Sequence, residues 1–317
     1  MNSTQLLPPQ SIVPTEDNQP FELYFGAIFT INFSLMCYLT FKIVQLFRRR
    51  NASEFEKKNS RYRLIVYSLM AVCGLLRLVF CALEFQILSN KGVAKQSPAL
   101  WTLENSPNLV IFSIACVFAY FWHEAASNFD DNLDLINESN TFFKKFLIII
   151  NLCFYAAYFA LSYYFIDCQY LIAILTSTVG LAVLTGVTLV IFHGRKLLQR
   201  INILAQVCGR QIKSLAKFQG MFRLCVISCL LKVIGFAIMT YGALAYSLEN
   251  YFTYLFSHLN QPWILASFIL ENLSIVLGEL GFFVSVIVLL QQSSYSSKKA
   301  LAKNDYCSIK TDTFIEV

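Results

Sequence analysis

The sequence predicts an all-α integral membrane protein: a bundle of seven transmembrane helices with the N-terminus outside or in a lumen and the C-terminus in the cytosol. Three features predict it: an apolar composition, seven long apolar segments and basic residues concentrated on one side. Of the 317 residues, 56% are hydrophobic and 14% are charged, whereas a soluble domain carries about 25% charged residues. So little polar surface cannot cover a soluble fold of this size, and apolar side chains must therefore face lipid.

Seven apolar segments are long enough, or nearly so, to cross a bilayer as helices, which takes about 20 residues. In order they are about 22–47, 63–88, 108–126, 143–166, 169–193, 221–247 and 263–290. Polar or charged residues bound each segment, and none has the alternating pattern of a membrane β-strand. The predicted organisation is a disordered lumenal N-terminus (1–21), the helix bundle (22–292) and a cytosolic tail (293–317).

Lysine and arginine determine the predicted orientation, because short cytosolic loops retain them. Basic residues cluster after the first and the fifth segment (Arg48, Arg49, Arg50, Lys57, Lys58, Arg61, Arg63; Arg195, Lys196, Arg200, Arg210, Lys213, Lys217, Arg223). On the predicted outer side, Lys91 and Lys95 are the only lysine or arginine residues. The net charge of +6 therefore reflects topology, and no nucleic-acid binding is predicted. The lumenal sequon at Asn2 is a weak glycosylation candidate because it lies at the extreme terminus.

Four charged residues fall inside apolar segments and are predicted to form a buried charge network. Arg77, Lys232 and Glu271 are expected near the bilayer midplane, and Glu279 nearer the cytosol. A charge in hydrocarbon is costly and usually has a partner, a water-lined cavity or a role. Three arrangements are possible for these residues. The cations pair with the glutamates and so hold the bundle together, or all four residues line a polar cavity for a ligand, ion or proton. In the third, single charged side chains extend toward the membrane interface.

Residues at two predicted cytosolic helix ends are candidates for a functional surface on the cytosolic face. Trp122, His123 and Glu124 end the third segment, with Trp122 expected to be an interfacial anchor. Arg195 and Lys196 follow the fifth segment. Residues 195–218 are expected either to extend the fifth helix or to lie along an anionic leaflet.

Neither enzyme chemistry nor a cofactor is predicted. His123 and His193 lie at predicted cytosolic helix ends and His258 in a predicted outer loop, so the three are not expected to share a metal ion. A rhodopsin-like receptor is the natural rival at this topology. However, the third segment ends in FWHEAA instead of an Asp-Arg-Tyr-like triplet, and the seventh segment has no NPxxY motif.

Several short motifs occur in a characteristic order. They are GLLRLVF around Arg77, PNLVIFSIACVFAYFWHEAA with Trp122, and HGRKLL with Arg195. In these the chain resembles the seven-span family named for the plant tobamovirus multiplication proteins, and more distantly the animal lysosomal proteins once classed as orphan receptors. Lys232 stands where that family tends to have an arginine, and Glu271 where its last span carries a glutamate. The acidic loop after the third segment departs from the pattern, as does a missing proline after Glu271.

The resemblance implies a non-enzymatic protein of vacuolar, lysosomal or related endomembranes, with the plasma membrane as the alternative location. It implies action by binding cytosolic proteins, small GTPases among them. The rival hypotheses are a receptor coupled to a G protein, and a transporter or proton pathway that uses the buried charges. The C-terminal residues 314–317 (FIEV) alternate apolar residues in a pattern that can add a strand to a PDZ domain, although chance readily produces it.

Overall fold

The computed structural model describes residues 19–48, 54–89, 98–127, 133–164, 170–207, 213–245 and 277–290. Apart from a turn at Tyr170, these residues are helical. The helices are α1 (Gln19–Arg48), α2 (Glu54–Ser89), α3 (Pro98–Ser127), α4 (Leu133–Tyr164), α5 (Leu171–Val207), α6 (Lys213–Ala245) and the shorter α7 (Leu277–Leu290).

Six of these helices, α1 to α6, are long and apolar enough to cross a membrane. The prediction of an all-α membrane protein is confirmed at this level. The described part of α7 is apolar but shorter than the roughly 20 residues that a span requires. The first half of the seventh predicted segment, 263–276, lies outside the described residues.

Most of the helices extend well beyond the apolar segments. α2 begins at Glu54 where the prediction began at 63, and α5 ends at Val207 where the prediction ended at 193. Hydropathy marks only the stretch inside hydrocarbon, whereas backbone hydrogen bonding continues through polar turns at the interface. Up to Val207, the basic stretch after the fifth segment is thus an extension of α5.

α3 lies at the centre of the described bundle. It packs against α2, α4 and α5, while α1 packs on α2 and α6 packs on α5. Of its apolar span, 67% is buried, compared with 6% for α1 and 11% for α4. α1 and α4 are therefore the peripheral helices.

The bundle exposes large apolar side chains along its outer surface. Phe142 is 73% exposed, Phe192 66% and Leu152 64%. A soluble monomer rarely tolerates apolar patches of this extent, so this surface is suited to lipid tails.

Hydroxyl groups on the helices bond back to their own backbone. Thr185 and Thr188 donate to the carbonyl four residues earlier at 2.8 and 2.9 Å, and Ser34 does the same at 2.9 Å. A polar group without a partner is costly in hydrocarbon, where water is absent. These bonds allow polar residues to face lipid.

Candidate functional site

Glu279 on α7 binds two cations inside the bundle. Its carboxylate accepts hydrogen bonds from Arg77 Nη2 of α2 at 2.9 Å and from Lys232 Nζ of α6 at 3.2 Å. Arg77 Nε reaches the other carboxylate oxygen at 3.4 Å. All three residues are buried. We call Arg77, Lys232 and Glu279 the charge cluster.

α3 supplies neutral partners for the charge cluster. Asn108 Oδ1 accepts a hydrogen bond from Lys232 Nζ, and the backbone carbonyl of Glu104 accepts one from Arg77 Nη1 at 3.0 Å. The free thiol of Cys73 on α2 lies 3.5 Å from the carbonyl oxygen of Pro107 and 3.7 Å from Glu279 Oε1. The cluster and its partners therefore connect α2, α3, α6 and α7.

Pro107 interrupts the backbone hydrogen bonding of α3 beside the charge cluster. A proline inside a helix has no N–H, so the carbonyl four residues earlier loses its usual donor. That carbonyl belongs to Leu103 and accepts instead from Ser106 Oγ at 2.9 Å. The neighbouring carbonyl, that of Glu104, is the one that Arg77 binds.

Glycine at position 278 allows α6 and α7 to approach closely at the charge cluster. A Cβ atom added at Gly278 would lie 2.7 Å from the Ser228 carbonyl oxygen and 2.7 Å from Lys232 Cγ. Real Cβ atoms essentially never come this close to another atom. Only glycine fits this position without moving a backbone, and it brings Glu279 within reach of Lys232.

The structure thus brings together three of the four charges predicted for the buried network. Glu279, expected nearer the cytosol than the cations, contacts both of them. Glu271 lies outside the described residues. The sequence reasoning missed Cys73 and Asn108, which became visible as partners only through the packing of α2 and α6 against α3.

A second group of residues lies where the end of α3 meets α2, α4, α5 and α6. Tyr62 Oη of α2 donates to Glu124 at 2.9 Å. The His123 ring lies 5.1 Å from that of His193 on α5 and 4.5 Å from that of Phe143 on α4, between ring centroids. Trp122 of α3 also contacts Phe218 and Phe222 of α6. Together these contacts place the start of α2, α4 and α6 and the later part of α5 at one end of the bundle.

Trp122 corrects one expectation. It is 2% exposed, so it is a core residue rather than an interfacial anchor or part of an open face. Its ring packs edge-on against Phe118, Phe218 and Phe222, at centroid distances of 5.5, 6.0 and 5.6 Å. The physical reason is that α6 begins at Lys213, before its predicted apolar segment starts at 221. Phe218 lies in this added part of the helix and covers the tryptophan.

His123 and His193, both predicted at cytosolic helix ends, lie side by side in the structure. His123 and His193 pack together, yet neither ring nitrogen of His123, nor His193 Nδ1, has a hydrogen-bond partner in the part of the chain that the structure describes. Within the same residues no group of three or more His, Cys, Asp or Glu side chains is arranged to hold a metal ion. The pair offers two nitrogen ligands at most from its own rings.

This end of the bundle is rich in basic residues, and we call it the basic end. Its described cations include Arg61, Lys144, Lys145, Arg195, Lys196, Arg200 and Arg223. At the opposite end, the described residues 158–164, 170–176 and 236–245 contain no Lys or Arg. Exposed tyrosines lie there instead, such as Tyr163, Tyr164 and Tyr241. Tyrosine is enriched at membrane interfaces, so this end has the composition of an aromatic belt.

Two grooves flank Arg195 at the basic end. One, of about 440 Å³, lies between α5 and α6 and includes Arg195 and Arg223. The other, of about 450 Å³, lies along α5 and includes Arg195, Lys196 and Phe192. Arg195 is exposed and Lys196 half-buried, so both cations are accessible from outside. The predicted sites at Asn2 and in the C-terminal residues 314–317 lie outside the described residues.

No protein-family model, curated protein or solved structure matches this chain. The resemblance to the tobamovirus multiplication family therefore continues to rest on the sequence motifs alone.

Proposed function

We propose that the chain is a non-enzymatic seven-span endomembrane protein that recruits or regulates cytosolic proteins, such as small GTPases, at its basic end. In this proposal the N-terminus is lumenal, and the basic end and the C-terminal tail face the cytosol. The observation that carries it is the concentration of cations at one end of the bundle, opposite an end that carries tyrosines. Positive residues are retained on the cytosolic side, so that end is the one available to cytosolic partners.

The charge cluster supports a structural platform for such recruitment. Each of its charges has partners on neighbouring helices, and the hydrogen bonds connect α2, α3, α6 and α7. Breaking a buried, hydrogen-bonded ion pair is strongly unfavourable, so these helices are held in one arrangement. A fixed bundle presents its cytosolic segments at constant spacing, which suits a docking platform.

Affinity capture tests the proposal. Intact protein and a variant with Arg49, Arg50, Lys57 and Lys58 changed to Gln are solubilised gently from native membranes, and the captured proteins are identified. These four residues belong to the basic segment between the first two predicted spans, which continues into the basic end. We expect the variant to lose most cytosolic partners, small GTPases among them, because in this proposal their recruitment depends on that segment.

The matched control changes Lys91 and Lys95 to Gln, since these are the basic residues of the predicted outer side. Partner recovery should be unchanged in this control. Recovery of the same partners from both variants would contradict cytosolic recruitment through the basic segment.

A transporter or proton pathway is the second candidate, favoured by one specific observation. The charge cluster combines two cations with one carboxylate, so its formal charge is positive inside the bundle. An excess buried charge is the kind of feature that ion and proton pathways use. Flux into liposomes that Glu279→Gln abolishes, with the fold retained, would favour this function over the platform.

A further inference from the structure

The groove between α5 and α6 combines exposed cations with an apolar floor. Arg195 of α5 and Arg223 of α6 line it, together with Ile191, Val226 and Ile227. Its volume of about 440 Å³ lies in the range typical of small-molecule sites. We call it the α5–α6 groove.

The two arginines of the groove are available for a ligand. Both side chains are exposed, and among the described residues neither forms an ion pair or a hydrogen bond. None of the described residues that line the groove is acidic. The side-chain amides of Gln199 and Gln219 add neutral hydrogen-bond donors. This set of donors complements a phosphate group, which arginine binds through paired N–H groups.

The apolar part of the groove lies on the membrane side of the arginines. Ile191 precedes Arg195 by one helical turn, and Ile227 follows Arg223 by one turn. Because α5 and α6 run in opposite directions, both turns extend from the basic end toward the middle of the bundle. Ile227 is 54% exposed, so this part of the groove opens to the lipid phase.

We propose that the α5–α6 groove binds one anionic phospholipid. Its phosphate contacts Arg195 and Arg223, and one acyl chain lies along Ile191, Val226 and Ile227. A soluble anion would use only the arginines and would leave the apolar floor uncovered. A lipid covers both, and basic pockets between transmembrane helices suit anionic headgroups. The proposal goes beyond the proposed function and does not depend on it.

Native mass spectrometry of the purified full chain tests the site. The protein is incubated with equimolar dioleoylphosphatidylserine and dioleoylphosphatidylcholine, and the retained lipids are counted. We expect one phosphatidylserine to be retained in preference to phosphatidylcholine. The double variant Arg195→Ala and Arg223→Ala should weaken this binding about tenfold or more, because charge-assisted hydrogen bonds are lost. Equal retention of the two lipids would overturn the proposal.

A second variant tests the acyl-chain part of the groove without removing charge. Ile227→Trp adds bulk at an exposed position, so the fold should be retained and the melting temperature should match that of the unaltered protein. Binding of phosphatidylserine should fall severalfold because the apolar floor is filled. Unchanged binding in this variant would show that the lipid lies elsewhere.

The matched control is the double variant Lys144→Ala and Lys145→Ala, which removes two exposed cations of the basic end from α4. It should retain phosphatidylserine as the unaltered protein does. An equal loss in this control would show diffuse attraction to the surface and overturn a defined site. Competition by free glycerophosphoserine at concentrations comparable to the lipid would show a soluble-anion site and would likewise overturn the lipid proposal.

Discussion

At the scale of single residues, Glu279 determines how the buried cations are accommodated. One carboxylate binds both Arg77 and Lys232, while the Asn108 side chain accepts a further bond from Lys232 and the Glu104 carbonyl a further bond from Arg77. Loss of the carboxylate would leave two buried cations without the acidic group that binds both of them. Loss of Lys232 would leave a one-to-one pair between Arg77 and Glu279. The two losses should therefore differ in cost.

We expect Glu279→Gln to destabilise the protein by about 3–5 kcal/mol, the cost of removing one partner from a buried ion pair. Lys232→Met should cost less, because the Arg77–Glu279 pair stays balanced. Thermal unfolding of the purified protein in detergent measures both. Glu138→Gln is the control, since Glu138 is exposed on α4 and should have almost no effect. Equal melting temperatures for Glu279→Gln and the control would refute a stabilising role for the cluster.

Trp122 shows at the same scale what sequence position alone misjudges. Its place near the end of an apolar segment predicted an interfacial anchor. The side chain is instead enclosed by Phe118, Phe218 and Phe222. Two of these partners belong to α6, far away in sequence, so no local pattern around position 122 could reveal the burial.

At the scale of helices, the crossing of α6 and α7 depends on a small residue. Gly278 faces the Ser228 carbonyl, and Lys232 follows one turn later along α6. Small residues at helix interfaces allow backbones to approach closely in membranes. The close approach and the ion pair are therefore coupled, since a wider separation would move Glu279 away from Lys232.

Gly278→Ala should cost about 1–3 kcal/mol, because the added methyl group has no space and α7 must shift. The melting temperature in detergent measures the loss. The matched control is Gly220→Ala on α6, where nothing lies within 4 Å of the added Cβ. It should be neutral or stabilising by up to about 1 kcal/mol, because alanine favours the helix. Equal effects of the two substitutions would exclude close packing at Gly278.

At the scale of the whole molecule, the number of spans determines where the two termini lie. Six spans place both termini on the same side of the membrane, whereas seven place them on opposite sides. The structure describes six helices long enough to cross and the apolar α7. Locating the two termini relative to the membrane therefore tests whether α7 belongs to a seventh span.

We expect an N-terminal epitope tag to be protected from protease in sealed vesicles with the cytosolic face outward, and a C-terminal tag to be digested. The basic residues predict this orientation. Vesicles permeabilised with detergent are the control, in which both tags should be digested. Digestion of both tags in sealed vesicles would mean an even number of spans and would exclude the seven-span topology.

Sequence alone determined the class of this protein and the position of its long apolar helices. Composition and hydropathy suffice for that, because the cost of exposing apolar residues to water, or unpaired backbone groups to lipid, depends on local chain content. It also identified Arg77, Lys232 and Glu279 as unusual, since charges in hydrocarbon are costly wherever they pair. One further signal was present in the sequence. Glu279 is as far from the predicted cytosolic end of its segment, at 290, as Lys232 is from the predicted cytosolic end of its segment, at 221. This equal depth could have suggested that the two residues pair.

Only the tertiary structure decided which groups meet. The bonds from Arg77 to Glu279, the packing of His123 against His193 and the burial of Trp122 under α6 all join residues on different helices. The same holds for the α5–α6 groove, where Arg195 and Arg223 become neighbours across two antiparallel helices. Such contacts depend on how helix faces rotate and approach one another. A one-dimensional pattern leaves this rotation undetermined, because side-chain shape and small residues such as Gly278 set it.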